Sequence, residues 1–166
     1  MRKQKGFTLI EMLVVIAIIA ILAGAVILAI NPVATMQKSR DATRLNDMDA
    51  LRSAINLALA EGEIQLKVTG PNTSLDGNQN VTGTDAAGGY VKYTTPSGKV
   101  GLGRYIPALP LDPLNTGTSV YTFRSTVNDY ELNCILEHPD NTVKETKDGG
   151  NNTAVYEVGT NLTIIS

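Results

Sequence analysis

Hydrophobic positions follow three successive patterns along the 166-residue chain. Residues 12–30 are without exception aliphatic, Met, Ala or Gly, 19 positions in all. At about 1.5 Å per helical residue, that run approaches the ~30 Å hydrocarbon core of a bilayer. Over residues 34–60 the apolar positions thin to Leu45, Met48, Leu51, Ile55, Ala58 and Leu59. Their spacings of three and four predict an amphipathic helix ending near Gly62. Lys38, Arg40, Asp41, Arg44, Asp47 and Asp49 fall mostly on the opposite side, so Arg40 and Arg44 are expected on a solvated face. After Glu63 the period becomes two.

Residues 64–68 (Ile-Gln-Leu-Lys-Val) alternate as a half-buried strand, and residues 90–94 form a second short strand before the turn Pro96-Ser97-Gly98. Between them, residues 70–89 are dense in Gly, Asn, Thr and Asp and read as a long surface loop with no core of its own. Pro107, Pro110 and Pro113 make residues 105–113 extended and exclude a central strand there. Residues 120–124 and 130–137 predict two strands joined by a turn at Asn128-Asp129, with short closing strands at 154–158 and 162–165. The expected fold is α+β: a long amino-terminal helix, half transmembrane and half amphipathic, packed on a small antiparallel sheet. Four segments follow: a leader (1–6), a membrane or filament-core helix (7–30), an amphipathic helix (31–62) and a β-rich head (63–166).

The two helical patterns meet at Ile30-Asn31-Pro32-Val33. Proline lacks the amide donor and clashes with the carbonyl four residues back, so residues 7–60, about 80 Å of helix, should kink or break there. Alternatively the first helix ends, and Pro32 opens a second in its first turn.

Composition narrows the head. The chain has no Trp, two Phe and six Tyr, so its core must rest on Tyr, Val, Leu and Ile. Cys134 is the single cysteine. It cannot form an internal disulfide, and its place in an alternating segment suits a buried small hydrophobe. The formal charge of −2 becomes about −5 on side chains once Arg2, Lys3 and Lys5 are removed, which leaves no basic stripe for nucleic acid. The three basic residues ahead of the apolar run are matched by Lys38, Arg40 and Arg44 beyond it, so charge alone does not set the orientation.

One carboxylate, Glu11, stands between the basic leader and the apolar run. Placing an ionised carboxylate in hydrocarbon costs about 2.5–3.5 kcal/mol, and such residues usually have a partner. Cleavage after Gly6 would create a new amine on Phe7, four residues before Glu11. A neighbouring copy's carboxylate could then pair with it.

Gly6-Phe7-Thr8-Leu9-Ile10-Glu11, followed by the apolar run, resembles the processing signal of type IV prepilins and type II secretion pseudopilins. The resemblance implies cleavage after Gly6 by a membrane peptidase that also methylates the Phe7 amine. It makes Glu11 the docking carboxylate in a helical filament of identical subunits, assembled from the inner membrane by a platform protein and an ATPase. It also places the leader in the cytoplasm and the head outside. Leu109-Pro110-Leu111-Asp112-Pro113, with Tyr121 beyond it, is similar to the L-P-x-D-P segment of major pseudopilins. Many type IV pilins close a carboxy-terminal loop with a disulfide, a pattern from which this chain departs. Major pseudopilins bind calcium in such a loop. Here residues 138–152 offer Asp140, Asn141, Asp148, Asn151 and Asn152, but their spacing fits no EF-hand, and no metal or other cofactor is assigned.

No catalytic motif is present. Gly101-Leu102-Gly103 lacks the Gly-Lys-Ser of a phosphate loop, and no HExxH, CxxC or G-x-S-x-G occurs. His138, the single histidine, precedes Pro139 in a loop and is expected to face solvent. The competing class is a membrane-anchored or secreted binding domain. An ordinary signal could use Ala23-Gly24-Ala25 as its cleavage site, although the apolar run continues past it and Glu11 interrupts its boundary.

Overall fold

The computed structural model describes residues 6–83 and 88–165. Of the leader only Gly6 falls among them; Arg2, Lys3 and Lys5 lie outside, as do residues 84–87 of the expected loop. The chain divides into two compact units, with the boundary between Gln37 and Lys38.

In the first unit, α1 spans Leu9–Ile30. Within it, Leu9–Ile27 is long and apolar enough to cross a membrane, with a mean hydropathy of 2.9 and none of it buried within the chain. The helix stops at Asn31, whose backbone is left-handed at φ 45°. Asparagine tolerates that region better than most residues. Helix α2, Pro32–Ala60, starts at once with Pro32 in its first turn, where a missing N–H is harmless. Asn31 also serves this second helix, its Oδ1 accepting the Ala34 N–H at 3.3 Å. Of the two readings of Pro32 the second holds: the first helix ends and Pro32 opens another, with one residue between them.

From Lys38 onward α2 belongs to the second unit, and its expected stripe is the packed one. Met48, Leu51, Ala54, Ile55 and Ala58 are buried, with Leu45 and Leu59 partly so. Gly62 ends the turn at φ 63°, donating its N–H to the Leu59 carbonyl. A four-stranded antiparallel sheet supplies the other layer, in the order β1 (Asn72–Thr73), β2 (Thr122–Ser125), β3 (Tyr130–Cys134), β4 (Tyr156–Gly159). The β2–β3 hairpin closes where expected: Thr126 N–H donates to the Asp129 carbonyl, and Asp129 N–H to Thr126 Oγ1. Phe123, Tyr130, Leu132, Cys134 and Val158 join the helix stripe in one core with Tyr90, Tyr93, Leu102, Leu109 and Tyr121. This is the expected α+β architecture with a tyrosine-rich core. Cys134 is buried as expected.

Several local expectations fail. Residues 64–68 and 90–94 are not strands; they meet in a single bridge, Gln65 to Thr94. Beyond it the chain meets β2 through one backbone bond, Thr69 N–H to the Ser125 carbonyl, and through side chains: Ser125 Oγ donates to the Lys67 carbonyl and Ser125 N–H to Thr69 Oγ1. Residues 162–165 form no strand either, because the Ile164 and Ile165 N–H groups donate to a Glu131 carboxylate oxygen. The segment read as a featureless loop contains β1 and a 3-10 turn at Ser74–Asp76 with Ser74 buried. Asp41 and Arg44 are fully buried on the packed face of α2 rather than solvated. His138 is only 8 % exposed, because its backbone N–H is drawn to Asp41 Oδ2 at 2.9 Å.

Candidate functional site

Gly6, Phe7 and Glu11 lie at the entrance of α1. Thr8 is its N-cap, with an extended backbone, and its hydroxyl oxygen accepts the Glu11 N–H at 3.4 Å. Glu11 reaches back, its Oε2 accepting the Thr8 N–H at 2.8 Å and the Thr8 hydroxyl at 2.7 Å. This reciprocal capping box satisfies two of the donors that a helix start leaves open. It also puts a negative charge at the positive end of the helix dipole. The signal was in the sequence as Thr8-x-x-Glu11, and the pattern reading passed over it. Glu11 Oε1 takes no hydrogen bond among the described residues. The cap therefore orients the carboxyl while leaving one oxygen for a further donor.

Phe7 is 74 % exposed. With Ile10, Glu11, Val14 and Val15 it lines a shallow, almost wholly apolar groove on the first turns of α1. The groove carries one carboxylate at its edge. Apart from that carboxylate, its lining side chains are all hydrocarbon.

The second cluster lies in the head. Arg44 grips Asp112 with two donors, Nε to Oδ2 at 2.5 Å and Nη2 to Oδ1 at 2.9 Å. Its Nη1 lies 3.0 Å from Asp41 Oδ1 and 2.6 Å from Glu137 Oε1. Arg40 holds the same Glu137 with Nε at 2.8 Å and Nη2 at 2.5 Å. Asp41 also accepts the N–H groups of Glu137 and His138 and the Asn141 side-chain amide. Such charge-assisted, partly bidentate contacts are the strong class of hydrogen bond. Hydrogen bonding to Arg40, aided by Arg44, outweighs burial and holds the Glu137 carboxyl at about 2. Burial would raise Asp112, but Arg44 and the N–H groups of Leu114 and Asn115 keep it below its ordinary value. Asp112 belongs to the L-P-x-D-P segment, so that segment is the anchor by which the proline-rich stretch is fixed to α2. Sequence reasoning missed the cluster, although Asp41 and Arg44 continue the helix stripe in phase with Met48, Leu51, Ile55 and Ala58.

The side chains offered by residues 138–152 make contacts within the chain. Asp140 pairs with Lys38 at 2.7 Å, and Asn141 is held by Asp41. The Asp148 oxygens accept the N–H groups of Gly150 and Glu157. Among the described residues no three His, Cys, Asp or Glu side chains converge as a metal site.

An exposed apolar helix headed by a capped glutamate and a short basic leader is the layout of the prokaryotic N-terminal methylation motif, and the model of that family matches residues 1–27. Residues 1–27 are thus similar to that family, and a likeness to fimbrial proteins reaches further along the chain. A type IV major fimbrial protein FimA of Dichelobacter nodosus is 38 % identical over 78 residues, 47 % of this chain and 47 % of that protein. A fimbrial protein of the same organism is 39 % identical over 77 residues, 46 % of this chain and 47 % of that one. The chain spans about half the length of the curated relatives it matches. No solved structure matches it. The resemblance to type IV pilins drawn from Gly6 to Glu11 is borne out by both findings.

Proposed function

We propose that this chain is the structural subunit of a type IV pilus-like filament, and that it is not an enzyme. The observation that carries the reading is α1: a helix as long as a bilayer is thick, none of it buried within the chain over Leu9–Ile27, with one carboxylate in its first turn. Before assembly the helix would rest in the inner membrane with the leader inside and the head outside. A peptidase would cut after Gly6 and methylate the Phe7 amine. Glu11 Oε1, held toward the helix start by Thr8, would then accept that amine from a neighbouring copy. A charge pair formed in hydrocarbon is strong, because little solvent competes for either partner. It would select subunits in the correct axial register while the apolar grooves pack. A platform protein and an ATPase would supply the work of extraction. The likeness to fimbrial proteins favours a fimbrial filament over a secretion pseudopilus.

The intact mass and amino-terminal sequence of the protein from its native membranes test the reading. A chain beginning at Phe7 with one added methyl group is expected. A chain beginning at Val26, or one retaining Met1, would remove the docking amine and leave the anchored or secreted binding domain as the better account.

A further inference from the structure

The outer face of the sheet, away from α2, carries a feature that neither the core nor filament assembly uses. Alternation along β3 turns Tyr130, Leu132 and Cys134 toward the helix, and so Glu131 and Asn133 the other way. Asn133 stands opposite Glu157 on β4, which places Glu157 on the same face and diagonal to Glu131. Glu131 is 0 % and Glu157 1 % exposed.

Their oxygens are nearly all committed. Glu131 Oε2 accepts the N–H groups of Ile164 at 2.7 Å and Ile165 at 2.9 Å. Glu157 Oε2 accepts the Asn152 N–H at 3.1 Å. The Asn151 amide, oriented with its nitrogen inward, donates to Glu157 Oε1 at 3.1 Å and to the Leu162 carbonyl at 2.9 Å. Glu131 Oε1 is buried with no donor among the described residues.

The charged neighbours on this face are Arg124, opposite Glu131 on β2, and Asp148 from the covering loop. Arg124 spends Nη1 on the Ile164 carbonyl at 2.6 Å. Asp148 Oδ2 accepts the Glu157 N–H at 2.8 Å and brings a further negative charge. Two adjacent buried carboxyls cannot both ionise cheaply. A proton between them removes one charge and supplies the donor that Glu131 Oε1 lacks.

We propose that Glu131 and Glu157 share one proton, which fastens residues 148–152 and 164–165 onto the outer face of the sheet. Burial first, and the nearness of Glu131 and Asp148 after it, push Glu157 up to about 7 against the Asn152 N–H. The transition belongs to the pair. A folded-state value above the ordinary 4.5 means that the stabilisation is complete below the unfolded value. It is lost as pH rises through about 7. The covering segments are therefore a neutral-pH latch.

The test is an NMR titration of the full chain in detergent micelles, labelled at the Glu side-chain carboxyl carbon, from about pH 4 to pH 9. A transition near 7 at Glu157, with Ile164 and Ile165 amide exchange accelerating beyond its intrinsic pH dependence, is expected. Adding calcium chloride should leave it in place, and Glu157→Gln should abolish it. An ordinary acidic midpoint for Glu157 would overturn the proposal. So would survival of the transition in Glu157→Gln. A midpoint driven down by calcium would also overturn it, because the pair would then hold a hard cation in place of the proton. If Glu157→Gln fails to fold, the wild-type titration with and without calcium decides.

Discussion

Arg44→Met tests whether the head depends on its buried ion cluster. The substitution keeps approximate length and volume while removing a guanidinium that faces Asp112, Asp41 and Glu137 from a side chain with 0 % exposure. Breaking a buried pair by deleting one partner costs about 3–5 kcal/mol, because the surviving charge stays buried without compensation. The carboxylate side gives a similar figure. Glu137 is held at about 2 against an ordinary 4.5, and its side chain is only 16 % exposed. At 1.36 kcal/mol per pKa unit this corresponds to about 3 kcal/mol, shared between Arg40 and Arg44. These are two views of one coupling and do not add. Set against a typical domain stability of about 5–15 kcal/mol, the loss is large. Urea unfolding of the full chain in detergent micelles, followed by tyrosine near-ultraviolet circular dichroism, reads it without interference from tryptophan. Arg40→Met is the control, because Arg40 is partly exposed and holds only Glu137 strongly; about 1–2 kcal/mol is expected. Pairing Arg44→Met with Asp112→Leu should cost less than the two changes summed. A loss under about 1 kcal/mol for Arg44→Met, or an equal loss for Arg40→Met, would refute the argument.

Two further changes probe the ends of the chain's architecture. Thr8→Val removes the hydroxyl of the capping box and should cost α1 about 1 kcal/mol, seen in micelles as faster amide exchange over its first turn with the head unchanged. Gly159→Ala would drive a Cβ into the Tyr130 carbonyl across the β3–β4 pair. Here about 1–3 kcal/mol should be lost, measured by the same urea titration, whereas Gly98→Ala, open around its Cβ, should lose only the strain of its positive φ.

Periodicity revealed the helix stripe and the β2–β3 hairpin because both have local signals, three-and-four spacing in one and a turn between alternating runs in the other. Asp41 and Arg44 obey the same spacing, but charged residues are rarely buried unless paired, so spacing alone argues for a solvated place. Their partners, Asp112 and Glu137, lie far away in sequence and carry no local mark. The strand reading at 64–68 failed for a related reason. Alternation reports which side chains can be covered; it does not say which backbone groups will find a ladder. Ser125 and Thr69 took the hydrogen bonds that a neighbouring strand would have made. Residues 90–94 misled in the opposite direction. Tyr90, Val91 and Tyr93 are buried because the tyrosine hydroxyls reach the Pro110 and Val81 carbonyls, an outcome that no period predicts. At the candidate site, Thr8-x-x-Glu11 was legible outright. Its capping role is obscured because a carboxylate ahead of an apolar run points equally to a partner outside its own helix.

With a single cysteine, the carboxy-terminal region is fastened by carboxylates that accept backbone N–H groups. Asp41 holds Glu137 and His138, Glu145 holds Leu136, Glu131 holds Ile164 and Ile165, and Asp148 holds Gly150 and Glu157. Hydrogen bonds to charged groups contribute about 1.5–3 kcal/mol each, so a few of them rival the 2–4 kcal/mol typical of a disulfide. They differ from it in responding to pH, and the two signs can be separated. Glu137 and Asp112 are held low in the folded state, so their stabilisation is present above the ordinary carboxylate range and lost as pH falls, for Glu137 through about 2. Glu157 at about 7 is raised by burial first, and Glu145 is raised by burial against the Leu136 N–H. Their stabilisation is complete at low pH and declines as pH rises above 4.5, for Glu157 through about 7. Urea midpoints of the head should therefore peak between about pH 4.5 and 5.5 and fall on both sides. In Glu157→Gln the alkaline decline should shrink while the acid one persists. A midpoint rising steadily from pH 5 to 8 would mean that the raised carboxyls do not govern this region, and the carboxylate fastening would have to be abandoned as its explanation.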